Sequence, residues 1–445
     1  MNTSIFRAYD IRGIYPTEIN EDIIYKIGRA FVVYLSAENI VVGRGARESS
    51  PALYEAFARG ITDQGCNVID IGIVSTPILY FASGTLDVDG AACLTASHNT
   101  SQYNGLKLTH AEAVPIGIES GLKKIQELVE KNEFTDSANK GIITHHNSTQ
   151  EYIDHFASFS KLGRKKLKMV IDPANGMGIV ELPLFEKLSK NLDIITIFDN
   201  IDMSFPNHEA NPLKVETLTE LRKKVIEEKA DLGIAFDGDA DRVGFIDEKG
   251  DVVPMDYITA LLSKSILKTN PDSIILCGLR STKAVREIIE ENGGIAHECR
   301  VGHAYIKKQM QREGAIFAGE LSGHYYFKEN FTAESASYAV ILMLNLLAKN
   351  GKSLSELTKT VQRYFQSGEI NTEVEDKENV MNALKKTYKD GKLSELDGVK
   401  IDYSSWWFSA RSSNTEPYLR LNVEADTKEL LELKKTELLR IIRGE

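Results

Sequence analysis

Three times along the chain a short apolar run leads through a glycine-containing loop and a helical pattern to a second run, another helix, and a third run that ends in polar residues. This recurrence limits the fold more than any other feature, because apolar runs alternating with helices build α/β domains whose sheets are buried on both faces. In the first copy the runs are Ile40-Val41-Val42-Gly43, Asn67-Val68-Ile69-Asp70-Ile71 and Gly90-Ala91-Ala92-Cys93-Leu94, which empties into Thr95-Ala96-Ser97-His98-Asn99. The second has Met169-Val170-Ile171, Ile194-Ile195-Thr196-Ile197 and Leu232-Gly233-Ile234-Ala235-Phe236, which empties into Asp237-Gly238-Asp239-Ala240-Asp241-Arg242. The third has Ser273-Ile274-Ile275-Leu276, Ile295-Ala296-His297 and Ala315-Ile316-Phe317-Ala318, followed by Gly319-Glu320-Leu321-Ser322-Gly323-His324. Ligands of such sheets gather beyond the carboxyl ends of the strands, where each third run delivers its polar residues.

Val285, Ile288 and Ile289 follow the i, i+3, i+4 spacing of one buried helical face. After about residue 363 the pattern changes to strand-like pieces at 369–374, 399–403 and 418–423, then a closing helix from about Asp426, whose side chain is expected to cap it. The reading is an α/β chain of three similar mixed α/β domains with mainly parallel sheets, plus a smaller α+β C-terminal domain. Its expected boundaries are 1–142, 143–250, 251–363 and 364–445. The polar stretch 135–150 reads as a linker whose His145 and His146 are solvated.

With 53 Lys and Arg against 64 Asp and Glu among 445 residues, the formal charge is −11, which disfavours a nucleic-acid partner. Composition, 42% hydrophobic and 26% charged, excludes wholesale disorder. No apolar run approaches the ~18 residues of a membrane span, and the N-terminus lacks a secretion-signal pattern, so no membrane partner and a cytoplasmic location are expected. Cys66, Cys93, Cys277 and Cys299 are far apart and should be reduced core thiols.

Asp237, Asp239 and Asp241 recur at spacing two, so in an extended segment they project to one side. At an effective dielectric near 20, two carboxylates about 4 Å apart repel by about 4 kcal/mol, which a proton or a hard cation such as Mg²⁺ or Ca²⁺ must relieve. An EF-hand counted from Asp237 would end at Glu248, but Arg242 stands where that loop needs its turn glycine. Ser97 lies at a strand end with His98 beside it and Lys107 ten residues on, an arrangement that can activate a hydroxyl as a phosphate carrier. Arg411-Ser412-Ser413-Asn414-Thr415-Glu416-Pro417 offers a guanidinium fork and a turn of donors suited to an anion. Glu320, Ser322 and His324 alternate acceptors and donors of the kind that hold sugar hydroxyls. The glycine-rich stretch 172–178 matches no nucleotide fingerprint and reads as a structural turn.

Together FRAYDIRG at 6–13, TASHN at 95–99, DGDADR at 237–242, GELSGH at 319–324 and RSSNTEP at 411–417 resemble the α-D-phosphohexomutase family, particularly its phosphomannomutase/phosphoglucomutase branch. The resemblance spans nearly the whole chain. It implies four domains around a central cleft and an enzyme that interconverts hexose 1- and 6-phosphates of mannose or glucose through phosphoserine and a hexose 1,6-bisphosphate. It further implies Ser97 as phosphate carrier, with Asp237, Asp239 and Asp241 holding one Mg²⁺ together with a phosphoserine oxygen. His98, Lys107, Arg242, His303 and Arg12 would serve the transfer. Tyr9, Arg280, Glu320, Ser322, His324, Arg411, Ser413, Asn414 and Thr415 would bind substrate. Small hexose phosphates are the implied partners, with the chain a monomer or a dimer.

Three departures accompany the match: Gly45 where the family usually has aspartate, Thr100 where it has proline, and Arg280 where this branch often has lysine. Arginine keeps its charge where lysine can release a proton. Two other enzymes fit the motifs less fully: a phosphoglucosamine mutase, and a metal-dependent phosphatase with Asp237 as nucleophile. A non-catalytic sugar-phosphate sensor is the reading from outside enzymology.

Overall fold

The computed structural model describes residues 3–412 and 418–444. They form two compact units, residues 1–255 with 302–357, and residues 256–301 with 358–445.

In the first unit, strands β1 (Ile11–Ile14), β2 (Asn39–Arg44), β3 (Asn67–Ile73), β4 (Gly90–Leu94), β5 (Tyr103–His110) and β6 (Ile143–His145) form a sheet in the order β1-β5-β4-β2-β3-β6. β2 pairs in parallel with β3 and β4, as the repeat predicts, and β5 returns antiparallel between β4 and β1. Every residue of β4 is buried, so it shows no polar alternation. Helices α1 (Glu21–Leu35), α2 (Ser50–Asp63) and α3 (Thr76–Thr85) belong to this region. Asn20 caps α1 by accepting from Ile23 N–H, and Glu21 and Asp22 lie in its first turn, where the helix dipole favours acids. Ile24, Ile27 and Phe31 of α1 are fully buried in the core, which continues through Leu53, Phe57 and Ile61 of α2.

The second sheet, also in the first unit, contains β7 (Leu167–Asp172), β8 (Leu192–Thr196), β9 (Leu232–Phe236), β10 (Val243–Asp247) and β11 (Val252–Val253), in the order β11-β10-β9-β7-β8. β7 pairs in parallel with β8 and β9, and β10 turns back antiparallel to β9. The third repeat supplies a parallel pair, β12 (Ile274–Gly278) and β13 (Ile295–Cys299), to the second unit. It supplies the antiparallel strands β14 (Phe317–Gly319), β15 (Tyr325–Phe327) and β16 (Ala333–Glu334) to the first. Each repeat thus adds an antiparallel return after its chemistry-bearing strand.

The rest of the second unit is an antiparallel sheet of β17 (Phe365–Gln366), β18 (Ile370–Glu373), β19 (Lys392–Ser394), β20 (Val399–Asp402), β21 (Trp406–Ser412) and β22 (Tyr418–Ala425). Helices Lys377–Thr387 and Lys428–Arg443 pack with it around Phe408, Leu421, Leu384 and Leu438. This is the three-α/β-plus-C-terminal-sheet fold class expected from the sequence.

Two local expectations need correction. The closing helix is capped by Thr427, whose hydroxyl accepts from Leu430 N–H, and not by Asp426. The expected linker carries β6, which extends the first sheet beside β3. There His145 Nδ1 lies 3.3 Å from Asp70 with its side chain 80% exposed, and His146, a third exposed, pairs with Glu151 at 3.0 Å, so both rings stay open to solvent as expected. The four cysteines are free and buried, as expected. Among the described residues, no helix is long and apolar enough to cross a membrane.

Candidate active site

In the first unit the site is assembled from strand ends. Beyond β4 the chain turns sharply, with Ser97 at φ 48°, a left-handed conformation that costs a non-glycine residue about 1–2 kcal/mol. Ser97 N–H donates to Thr95 Oγ1 at 2.9 Å, and Ser97 Oγ donates to Asp237 Oδ2 at 2.9 Å. His98 Nδ1 is 3.2 Å from the same Oγ. Burial, then Arg242 and Arg12, lower the His98 pKa to about 3, so the ring is neutral.

Beyond β9, Asp237 Oδ1 accepts from the backbone N–H groups of Asp241 and Arg242 at 3.1 and 3.2 Å, which folds the acidic loop over its own side chain. The Asp172-led turn supports this loop, since Met177 N–H donates to Gly238 O at 3.0 Å. The N-terminus of α3 reads the loop from another side: Thr76 N–H donates to Asp239 O at 3.0 Å and Thr76 Oγ1 to Asp239 Oδ2 at 2.7 Å. β5, pairing Lys107 opposite Cys93 of β4, carries the Lys107 ammonium to 2.8 Å from Asp239 and 2.6 Å from Asp241.

The charges follow from these distances. Burial, reinforced by Asp241 and Asp239, pushes Asp237 well above the usual carboxylate range. Burial also opposes ionisation of Asp241, but Lys107 and His324 overcome it and hold its pKa well below that range. Desolvation would release the Lys107 proton, yet the two aspartates hold it. The ligand atoms of Asp237, Asp239 and Asp241 lie within 4.8 Å of one another, and buried Asp239 Oδ1 has no hydrogen-bond partner. Three acidic groups of hard oxygen with a spare acceptor fit Mg²⁺. An EF-hand does not fit, because β9 and β10 flank the loop and Glu248 accepts from Ser355 instead.

The third strand-end loop joins the second through backbone: Val243 N–H donates to Gly323 O at 3.1 Å, beside a bridge between Arg242 and His324. His324 Nε2 lies 3.3 Å from Asp241, and its Nδ1 is 2.8 Å from Ser322 Oγ. Burial disfavours the imidazolium, but Asp241 prevails and raises the pKa to about 9. Glu320 receives N–H from Gly302 at 3.1 Å and O–H from Tyr326 at 2.7 Å. His303 faces the Tyr9 ring edge-on at 5.4 Å, and burial with Lys307 and Lys107 keeps it neutral. Arg12, on β1, pairs with Asp10 and with the Asn99 side chain of the serine loop.

The first unit therefore brings together Tyr9, Arg12, Ser97, His98, Lys107, Asp237, Asp239, Asp241, Arg242, His303, Glu320, Ser322 and His324. In the second unit Arg280 pairs with Glu369, and Arg420 Nη1 is 3.5 Å from Glu369. Arg411 lies 3.9 Å from Asp397, and burial followed by Arg280 lowers its pKa. Ser413, Asn414 and Thr415 lie outside the described residues. Sequence reading missed Arg47, Thr76 and Thr95. Arg47 and Thr95 carried one signal, a place just past the end of a parallel strand, and Thr76 carried none.

Family models for phosphoglucomutase/phosphomannomutase match in chain order: alpha/beta/alpha domain I at residues 3–136, domain II at 150–250, domain III at 254–364 and the C-terminal domain at 369–441. The chain is 39% identical to a phosphomannomutase of Methanocaldococcus jannaschii, over 98% of this chain and 97% of that one. It is 39% identical to a phosphomannomutase of Vibrio cholerae, over 98% of each. Among solved structures, a phosphoglucomutase/phosphomannomutase family protein of Burkholderia thailandensis superposes with a TM-score of 0.92 at 29% identity, covering 100% of this chain and 98% of that one. A multidomain α/β phosphotransferase is the class that fold and site define. The chain belongs to the phosphoglucomutase/phosphomannomutase family.

Proposed function

We propose that this phosphohexomutase interconverts the 1- and 6-phosphates of mannose or glucose through phosphoserine at Ser97 and a hexose 1,6-bisphosphate. The hydrogen bond from Ser97 Oγ to Asp237 carries the reading, because it sets the serine hydroxyl of the strand-end loop against the acidic cluster. The same contact weakens the phosphatase alternative: Asp237 Oδ1 is engaged by two backbone N–H groups and Oδ2 by the serine, so the freer nucleophile is Ser97.

In the proposed cycle the free hydroxyl of a hexose monophosphate attacks phospho-Ser97. A sugar O–P bond forms, the Ser97 Oγ–P bond breaks, and the hydroxyl proton ends on the serine oxygen. Neutral His303 and His98 can take and pass that proton, whereas Lys107 and Arg242 stay charged and neutralise phosphoryl oxygens. The bisphosphate turns over, its other phosphate returns to Ser97, and the serine proton goes to the freed sugar hydroxyl.

Asp237, Asp239 and Asp241, with an oxygen of phosphorylated Ser97, would hold one Mg²⁺, whose chemistry is to offset charge on the transferring group. Glu320, Ser322 and His324 bind sugar hydroxyls. Tyr9 and Arg12 complete that binding. Arg280 and Arg411, with Ser413, Asn414 and Thr415, bind the phosphate that is not being transferred.

Incubating the protein with mannose 1-phosphate, Mg²⁺ and a trace of glucose 1,6-bisphosphate should yield mannose 6-phosphate, read by phosphorus NMR. Inertness toward mannose, glucose and glucosamine 1-phosphates alike would refute the proposal, and glucosamine turnover alone would reassign the substrate.

A further inference from the structure

Arg47 is 1% exposed, and a buried guanidinium must place its donors well or forfeit several kcal/mol of solvation. Its partners are four backbone carbonyls between the end of β4 and the first residue of β5. Nη2 donates to Ser97 O at 2.9 Å and Asn99 O at 2.7 Å, and Nη1 to Thr100 O at 2.8 Å and Tyr103 O at 2.9 Å. We propose that Arg47 is the positioning residue of the phosphate-carrying loop: its planar fork sets the backbone of 97–103 and thereby aims Ser97 Oγ at the acidic cluster. The proposal rests on the phosphoserine reading above.

Two further observations support it. Ser97 sits in the left-handed region, a strained state that persists only where its surroundings over-determine it. Its carbonyl is confined from both sides, by Arg47 Nη2 and by Gly238, where an added Cβ would stand 2.4 Å from Ser97 O. The Arg47 segment is itself anchored to this part of the chain, because Asn104 Nδ2 donates to Ser49 Oγ at 2.8 Å and contacts Ser50 Oγ at 3.2 Å. The Phe205 ring, 5.7 Å from the guanidinium carbon, lies against it. Lysine could keep the charge but not the fork, so it could not span four acceptors.

The test follows phosphorylation of Ser97 by glucose 1,6-bisphosphate and Mg²⁺ in wild type, Arg47→Lys and Arg47→Ala, using rapid quench and intact-protein mass. Misplacing a nucleophile by about 1 Å costs roughly 100-fold, so both variants should reach full phosphorylation about 100-fold more slowly. Millimolar guanidinium should accelerate Arg47→Ala and leave wild type unchanged. Wild-type rates in both variants would overturn the proposal. So would a reduced phosphorylated fraction with an unchanged rate, which marks lost fold instead of lost aim. If Arg47→Ala does not fold, Arg47→Lys carries the comparison, and failure of both to fold would assign Arg47 to the fold alone. A wild-type protein that takes no phosphate would overturn this proposal and the phosphoserine reading together, whereas normal wild-type labelling with unaffected variants sinks only the role of Arg47.

Discussion

Lys107 is the cation that lets Asp239 and Asp241 share a buried loop. Replacing one partner of a buried charge cluster typically costs about 3–5 kcal/mol, because the remaining charges stay unpaired. Lys107→Met should therefore lower the melting temperature clearly, and added Mg²⁺ should raise it more in the variant than in wild type; a melting temperature independent of both would contradict this charge balance. Glu181 makes a separate prediction. It is fully buried, accepts from Ser75, Ser337 and Tyr152, and burial raises its pKa from 4.5 to about 7. A raised acid pKa means the folded state holds the proton more tightly. Its stabilisation is full below pH 4.5 and is lost as pH rises through about 7, up to about 3 kcal/mol at 1.36 kcal/mol per unit. Glu181→Gln should flatten the fall in melting temperature across that window, which a pH series of thermal melts will read.

Lys107 reaches the aspartates because β5 lies close between β1 and β4. Gly105 permits this, since a Cβ there would stand 1.9 Å from the Ile11 carbonyl. Gly105→Ala must push the strands apart, and a loss of at least about 2 kcal/mol in denaturant unfolding, with slower Ser97 phosphorylation, is the expected outcome. Unchanged stability would show that β1 yields without strain. The elements that sequence revealed were the fully buried runs, such as β4 and β9, whose apolar character has one cause. Return strands such as β5 and β15 were less legible, because Lys107, Asn104 or Tyr326 are there to serve a site. β6 was hidden because an exposed edge strand needs no apolar pattern. The helix starting at Lys428 was found but its cap was displaced by one residue, since Asp426 and Thr427 are both good caps and only backbone geometry chooses between them. Site residues that touch chemistry by side chain, Ser97 and the aspartates, could be read from spacing. Arg47 offered only its position past a parallel strand and no chemical pattern, because it acts on carbonyls that every residue type possesses.

The net charge of −11 belongs to the whole chain, whereas Lys107 and Arg242 gather around the acidic loop and Arg12 stands at the serine loop. An acidic molecule can thus offer a small anion a locally basic site. Length alone suggests three domains, while the repeat plus an altered C-terminal pattern suggests four, in keeping with the four family matches. Removing divalent cations with EDTA should abolish mutase turnover, and Mg²⁺ should restore it; persistent turnover would show that the reaction needs no divalent cation. In the proposed cycle phosphate passes through Ser97, and labelling with radioactive glucose 1,6-bisphosphate followed by peptide mapping locates it. An acid-stable ester on the Ser97 peptide is the predicted result, and a hydroxylamine-labile acyl phosphate on Asp237 would contradict it.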